Sequence, residues 1–69
     1  MDNEISKIQE KFFNDLISLN VSEKESIEIT STFFFAWSKK NLNGKDFDIK
    51  KYKEDIEIFL SKFKEKKGK

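Results

Sequence analysis

Between Ile27 and Trp37 the chain carries no charge after Glu28 and crowds Phe33, Phe34, Phe35 and Trp37 into five positions. Charged, amphipathic segments flank this stretch on both sides. In a chain of 69 residues such a slab has to be covered by whatever lies before and after it, because burial of apolar surface is the main force available. The covering is hard at this length. A domain of this size hides only about 60% of the surface its unfolded chain exposes, and small scaffolds usually add a staple. The chain has no Cys and no His, which removes disulfides and the usual structural zinc sites. Its compensation is aromatic: eight Phe, one Trp and one Tyr, each able to bury roughly 150–250 Å². That mix suits a compact core despite a charged fraction of 39%.

The periodicity predicts an all-α protein, a small antiparallel three-helix bundle formed by residues 1–69 as one domain. The first helix is expected from about Glu4 to Leu19. Ile5, Ile8, Phe12, Leu16 and Leu19 recur at steps of three and four, with Phe13 and Ile17 on the flank of the stripe. Asp2 or Asn3 is placed to cap its first turn. The stripe spans about half the circumference, more than the 100° or so one neighbour covers, so this helix is expected to touch two others.

Asn20-Val21-Ser22 reads as a tight connection, and Ser22 with Glu25 matches a capping box that starts a second helix over about Glu23 to Asn41. The run Ile29-Thr30-Ser31-Thr32-Phe33-Phe34-Phe35 favours a strand by propensity. A lone strand leaves its backbone unpaired, however, and no partner strand is visible, so helix is preferred. On a helical wheel Ile27, Thr30, Phe34 and Trp37 form one apolar strip and Ile29, Phe33 and Ala36 a second. This makes the second helix the expected central one. Phe35 falls among Glu28, Ser31, Thr32 and Lys39, on the wet face.

Gly44 is read as a left-handed stop. Asp48 is the expected N-cap of a third helix running from Ile49 to about residue 65, with Phe47 stapled onto Tyr52. Ile49, Tyr52, Ile56, Phe59, Leu60 and Phe63 make a clean stripe, whereas Ile58 points away among Lys51, Glu54, Asp55 and Lys62. The Lys-rich tail, 64–69, is expected to fray.

Several function classes drop out. Without His or Cys neither the Ser-His-Asp nor the Cys-His arrangement can be assembled. The two glycines stand far apart, so there is no phosphate-cradling loop. Glu54, Asp55 and Glu57 could pair formally, but they fall on a solvated helix face, and catalytic carboxylates need burial or a cleft. The expectation is a protein without enzymatic activity, cofactor or metal. No apolar run approaches the roughly 20 residues that span a bilayer. The opening Met1-Asp2-Asn3-Glu4 lacks a basic region, so no signal peptide is expected. A cytoplasmic, non-membrane protein is the expectation. Richness in Lys, Glu and Ile with one Gln is a thermophile-like composition, although an AT-rich genome biases the same way and five Asn pull against it.

The net charge of +1 hides a segregation. Residues 1–28 hold seven acids and three Lys, and residues 39–53 hold six Lys and two Asp. Lys39, Lys40, Lys45, Lys50, Lys51 and Lys53 could contact phosphates, with the salt sensitivity that counterion release imposes. Lysines at helix ends are also favoured simply by the helix dipole. The chain contains no Arg, the usual partner of guanine, which disfavours sequence-specific DNA reading.

Apolar surface in excess of core is the stronger functional signal. Phe35 and Ile58 lie off their stripes, and Phe13 and Ile17 widen theirs; several such residues on one small domain mark an interface. The leading expectation is a non-enzymatic accessory subunit docking onto a larger protein through Phe13, Ile17, Phe35 and Ile58, with Lys residues as a polar rim. A homodimer closing its core is an intermediate reading. A non-specific nucleic-acid binder and a small viral or plasmid regulator are the alternatives. In size, Lys/Glu/Ile-rich composition, lack of Cys and Pro, and three-segment layout, the chain resembles the small helical accessory subunits of the B-family replicative DNA polymerase of thermophilic crenarchaea. The resemblance implies a non-catalytic polymerase subunit that tunes synthesis, with Lys patches near DNA as a secondary aid. It carries no motif and transfers no functional residue.

Overall fold

The computed structural model describes residues 2–67. Three helices form an all-α bundle: α1 over Asp2–Ser18, α2 over Glu23–Asn41 and α3 over Ile49–Lys67. Aromatic pairs give the topology. Phe33 meets Phe59, and farther along α2 Trp37 meets Tyr52 earlier in α3, so these two helices run antiparallel. Residue 12 of α1 reaches the same two rings, Phe33 and Phe59, which places α1 against both.

The helix starts follow local chemistry. At α2 the Ser22 Oγ accepts from the Glu25 backbone N–H at 3.2 Å, and the Ser22 hydroxyl lies 3.1 Å from Glu25 Oε1. The capping box forms, with its second arm closing side chain to side chain. At α3 the Asp48 Oδ1 accepts from the Lys51 N–H at 3.1 Å, and the Phe47 ring sits 5.3 Å from Tyr52, which is the expected cap and staple. The β-branched and aromatic middle of α2 stays helical throughout. Within it, the Thr30 hydroxyl donates to the carbonyl of Ile27 and the Ser38 hydroxyl to that of Phe35, so these polar groups are satisfied inside the helix.

Two details depart from the expected layout. The α1–α2 corner is a Schellman turn: Asn20 is left-handed (φ 72°), its N–H donates to Ile17, and the Val21 N–H donates to Leu16. Val21 and Leu16 are both buried, the apolar contact that accompanies this motif. After α2 the chain turns through two left-handed residues, Asn43 (φ 34°) and Gly44 (φ 88°), with Leu42 as the capping residue. Gly44 is thus left-handed as expected but stands one step beyond the helix stop. At the chain ends, α1 begins at Asp2, so Asn3 lies within its first turn. The α3 helix continues through Lys67, correcting the expected fraying over 64–67. Asp2 as a cap through its side chain, and fraying of Gly68 and Lys69, fall outside the described residues.

The core consists of Phe12, Leu16, Val21, Trp37, Tyr52 and Ile56, with Ile8, Leu19, Ile29, Phe33, Phe34, Leu42, Phe47, Phe59, Leu60 and Phe63 packed against it. Tyr52 is its hub, with ring centroids of Trp37, Phe47, Phe34 and Phe33 at 4.9, 5.3, 5.8 and 5.9 Å. The molecule measures 38 × 20 × 17 Å, only about two helix diameters across, so every helix keeps a face in solvent. The two seams on α2 differ. The backbone of α1 lies close to both α2 and α3, whereas α2 and α3 stand apart with rings between them. The α1 helix therefore approaches both other helices closely, while α2 has the two neighbours expected of it, α1 at close range and α3 through these rings. Bulky Phe33, Trp37, Tyr52 and Phe59 keep α2 and α3 separated.

Candidate functional site

Among the described residues the large apolar side chains left in water are Phe35, Ile58, Ile27 and Ile17, at 63%, 56%, 53% and 40% exposure. Phe35, Ile58 and Ile17 are three of the four candidate docking residues. Phe13, the fourth, is half-buried on the flank of α1. Ile27 corrects the wheel reading that placed it in a core strip: it stands out in solvent, and the inward position at the start of α2 is taken by Ser26, which is fully buried. A continuous apolar run hides such an exchange, because a one-residue shift of the core direction swaps neighbours. The signal that could have found it is the short corner preceding α2, where close helix approach favours a small side chain.

These residues do not form one patch. Phe13 and Ile17 lie roughly 100° and 140° around α1 from Phe12 at 100° per residue, away from Lys11, Asp15 and Ser18, which line the cleft between α1 and α3. They therefore face away from the α1–α3 cleft. Phe35 stands alone on the outer surface of α2, its ring 5.2 Å below the Lys39 ammonium, a cation–π contact. Ile58 belongs to a different place, the opening between α2 and α3.

That opening is a concavity of largely apolar character. One part, of ≈ 450 Å³, is lined by Ile29, Thr32, Phe33, Ala36 and Phe59, with Glu28 at its end. A second, of ≈ 460 Å³, shares Phe33, Ala36 and Phe59 and runs on past Ile58 toward Lys40, Lys51 and Lys62. The two are stretches of one groove along the α2–α3 seam. Beneath it the indole Nε1–H of Trp37 donates to Asp55 Oδ2 at 2.7 Å, and Lys51 Nζ lies 3.7 Å from the same oxygen. Sequence reading placed Phe33, Ala36 and Phe59 in core stripes and missed the groove, since a gap between two helices depends on their separation.

The six candidate lysines also divide. Lys40, Lys45 and Lys51 border one concavity of ≈ 370 Å³ at the end of α2. Lys39 turns to Phe35. Lys50 and Lys53 lie roughly 100° and 160° around α3 from Lys51 and face elsewhere. Among the described residues, no group of His, Cys, Asp or Glu side chains is arranged to hold a metal ion, and no helix is long and apolar enough to cross a membrane. Burial pushes the Tyr52 phenol above the ordinary value of 10.0, and the neighbouring Gln9 side chain offsets part of that rise. The Tyr52 hydroxyl and the Ser26 Oγ are buried without a geometrically complete hydrogen bond.

Comparison with protein families, characterised proteins and solved structures gives no match to this chain.

Proposed function

We propose that this protein is a non-enzymatic accessory subunit that binds a larger protein through apolar side chains its own core does not use. The observation that carries the reading is the exposure of Phe35, Ile58, Ile27 and Ile17 on a molecule of only 5462 Å² total surface. One exposed aliphatic residue is ordinary, but four large ones on so small a domain, one of them, Ile58, beside an apolar groove, are apolar surface available to a partner. Lysines around them supply the polar rim that interfaces carry. By the compositional resemblance, a replicative DNA polymerase is the partner class to examine first.

The test is affinity capture from nuclease-treated native lysate with a high-salt wash, comparing the natural chain with Phe35→Ala and Ile58→Ala. The reading expects a stoichiometric large protein that survives the wash and is depleted by at least one variant, with helix content and melting unchanged. Retention that neither variant affects removes these residues from the interface; loss of all partners on nuclease treatment removes the reading.

A second reading rests on the clustering of Lys40, Lys45 and Lys51 around one concavity, which would suit a phosphate backbone. A gel shift across a salt series checks it: absence of any complex at low salt eliminates nucleic-acid binding.

A further inference from the structure

We infer that the groove between α2 and α3 seats an acidic amphipathic helix of a partner protein, as a fourth helix laid along the open seam. The inference rests on the docking reading above and assigns it a place and an occupant chemistry.

Shape comes first. On α2 the groove is lined by Ile29, Phe33, Ala36 and Lys40, spaced four, three and four residues apart. Those eleven steps along the helix make a line about 16 Å long, three turns of helix. The rings of Phe33 and Phe59, centroids 5.3 Å apart, form a floor, and the single methyl of Ala36 leaves the dip above them. A rod with one apolar stripe fits this form. An extended peptide would need a sheet edge for its backbone bonds, and the described residues contain only helices. A helix satisfies its own backbone and presents anchors at i, i+3 or i+4, and i+7.

Charge selects the kind of helix. Lys40, Lys51 and Lys62 stand around the Ile58 half of the groove. Asp55, the one carboxylate there, already accepts from Trp37 and faces Lys51. Lys40 and Lys62 form no ion pair among the described residues. A docked helix therefore meets Lys40, Lys51 and Lys62 along the Ile58 half of the apolar floor and Glu28 only at the opposite end, which favours Asp and Glu on the part of the helix laid over that half.

A second copy of this chain fits less well. Its exposed large apolar residues are Ile17 on α1, Ile27 and Phe35 on α2, and Ile58 on α3. Ile27 and Phe35 lie eight residues and about 80° apart, so no helix offers the three-turn stripe the groove requires.

The experiment is selection of a displayed library of random peptides about 16 residues long on the full chain, with affinities of the enriched peptides read from Trp37 fluorescence. Trp37 is the sole tryptophan and lines the groove. The inference expects enriched sequences that are net acidic, with apolar residues at helical spacing. Ala36→Glu should weaken them at least about tenfold by placing a charge on the apolar floor. Ala36 is exposed and Glu is a good helix former, so that variant should keep its fold. Lys40→Glu with Lys62→Glu should weaken acidic peptides and restore binding to their Lys-substituted counterparts. Selection of basic or neutral peptides, indifference to Ala36→Glu, or no enrichment overturns the inference, as does a self-association in sedimentation that Ala36→Glu dissolves. If the groove fails while Phe35- or Ile58-dependent capture of a large protein persists, docking stands and only its place is wrong.

Discussion

The α1–α2 seam and the α2–α3 seam are built from the same kinds of residues yet differ in closeness. The first is drawn shut by a four-residue link, Leu19 to Ser22, whose Schellman turn buries Val21 against Leu16, and by Ser26, small enough to sit fully inside. The second follows a seven-residue link, Leu42 to Asp48, and meets ring to ring, so its helices stay apart and a groove opens above Phe33 and Phe59. Side-chain size sets the spacing of helices, and spacing decides which apolar surface is hidden. Here the tight seams hide their apolar surface, and the open one leaves part of its own in solvent.

The largest expected effect lies where the tight seams meet. Leu16→Ala removes a side chain with no exposed surface and should cost about 3–5 kcal/mol. In a domain of this size that approaches the whole stability, so circular dichroism should find most helix lost near room temperature. Persistence of a cooperative melt within a few degrees of the natural chain would mean the α1 seams are looser than described. Next is the corner itself. Ser22→Ala removes the α2 cap and should cost about 1 kcal/mol, read as a lower denaturant midpoint with unchanged slope. Ser26→Ala should have the opposite sign. It deletes a buried hydroxyl that has no partner and improves helix propensity, for a gain up to about 1 kcal/mol. A loss there would reveal a hydrogen bond to that hydroxyl.

The smallest effect at neutral pH belongs to the ring-filled seam. Burial raises the Tyr52 phenol above its unfolded value of 10.0, so the neutral form is the one the folded state favours. This contribution is complete below about pH 10 and is lost as pH rises from there through the folded value. Lysines titrate in the same range, and comparison with Tyr52→Phe isolates the phenol. The natural chain should lose more stability than the variant above pH 10, with phenolate absorbance appearing late. Equal losses would indicate a solvated hydroxyl.

Much of this architecture was legible in the sequence because the signals were local. The Ser22–Glu25 box, the Asp48 cap and the Phe47–Tyr52 staple each need only a few residues, and each starts its helix where read. Phe35 and Ile58 were legible as off-stripe residues because each falls among polar and charged residues on its helix, opposite the apolar arc. Ile27 was misread since α2 is apolar over too wide an arc to fix that direction. Val21 was read as link because its burial depends on Asn20 turning left-handed. The groove was invisible because no residue within either helix encodes the distance between them. The scattering of the six lysines has the same origin: neighbours in sequence such as Lys39 and Lys40 or Lys50 and Lys51 stand about 100° apart on a helix.

The most direct test of the contrast between seams is the melting temperature of Ser26→Glu against that of Ala36→Glu. The same side chain is introduced ten positions apart on one helix, into the closed seam in one case and the open groove in the other. The account predicts that Ser26→Glu unfolds the domain or lowers its melting point by tens of degrees, since a carboxylate cannot be accommodated there unpaired, whereas Ala36→Glu melts within a few degrees of the natural chain. Similar melting points for the two variants would contradict it, because both seams would then be equally open or equally closed.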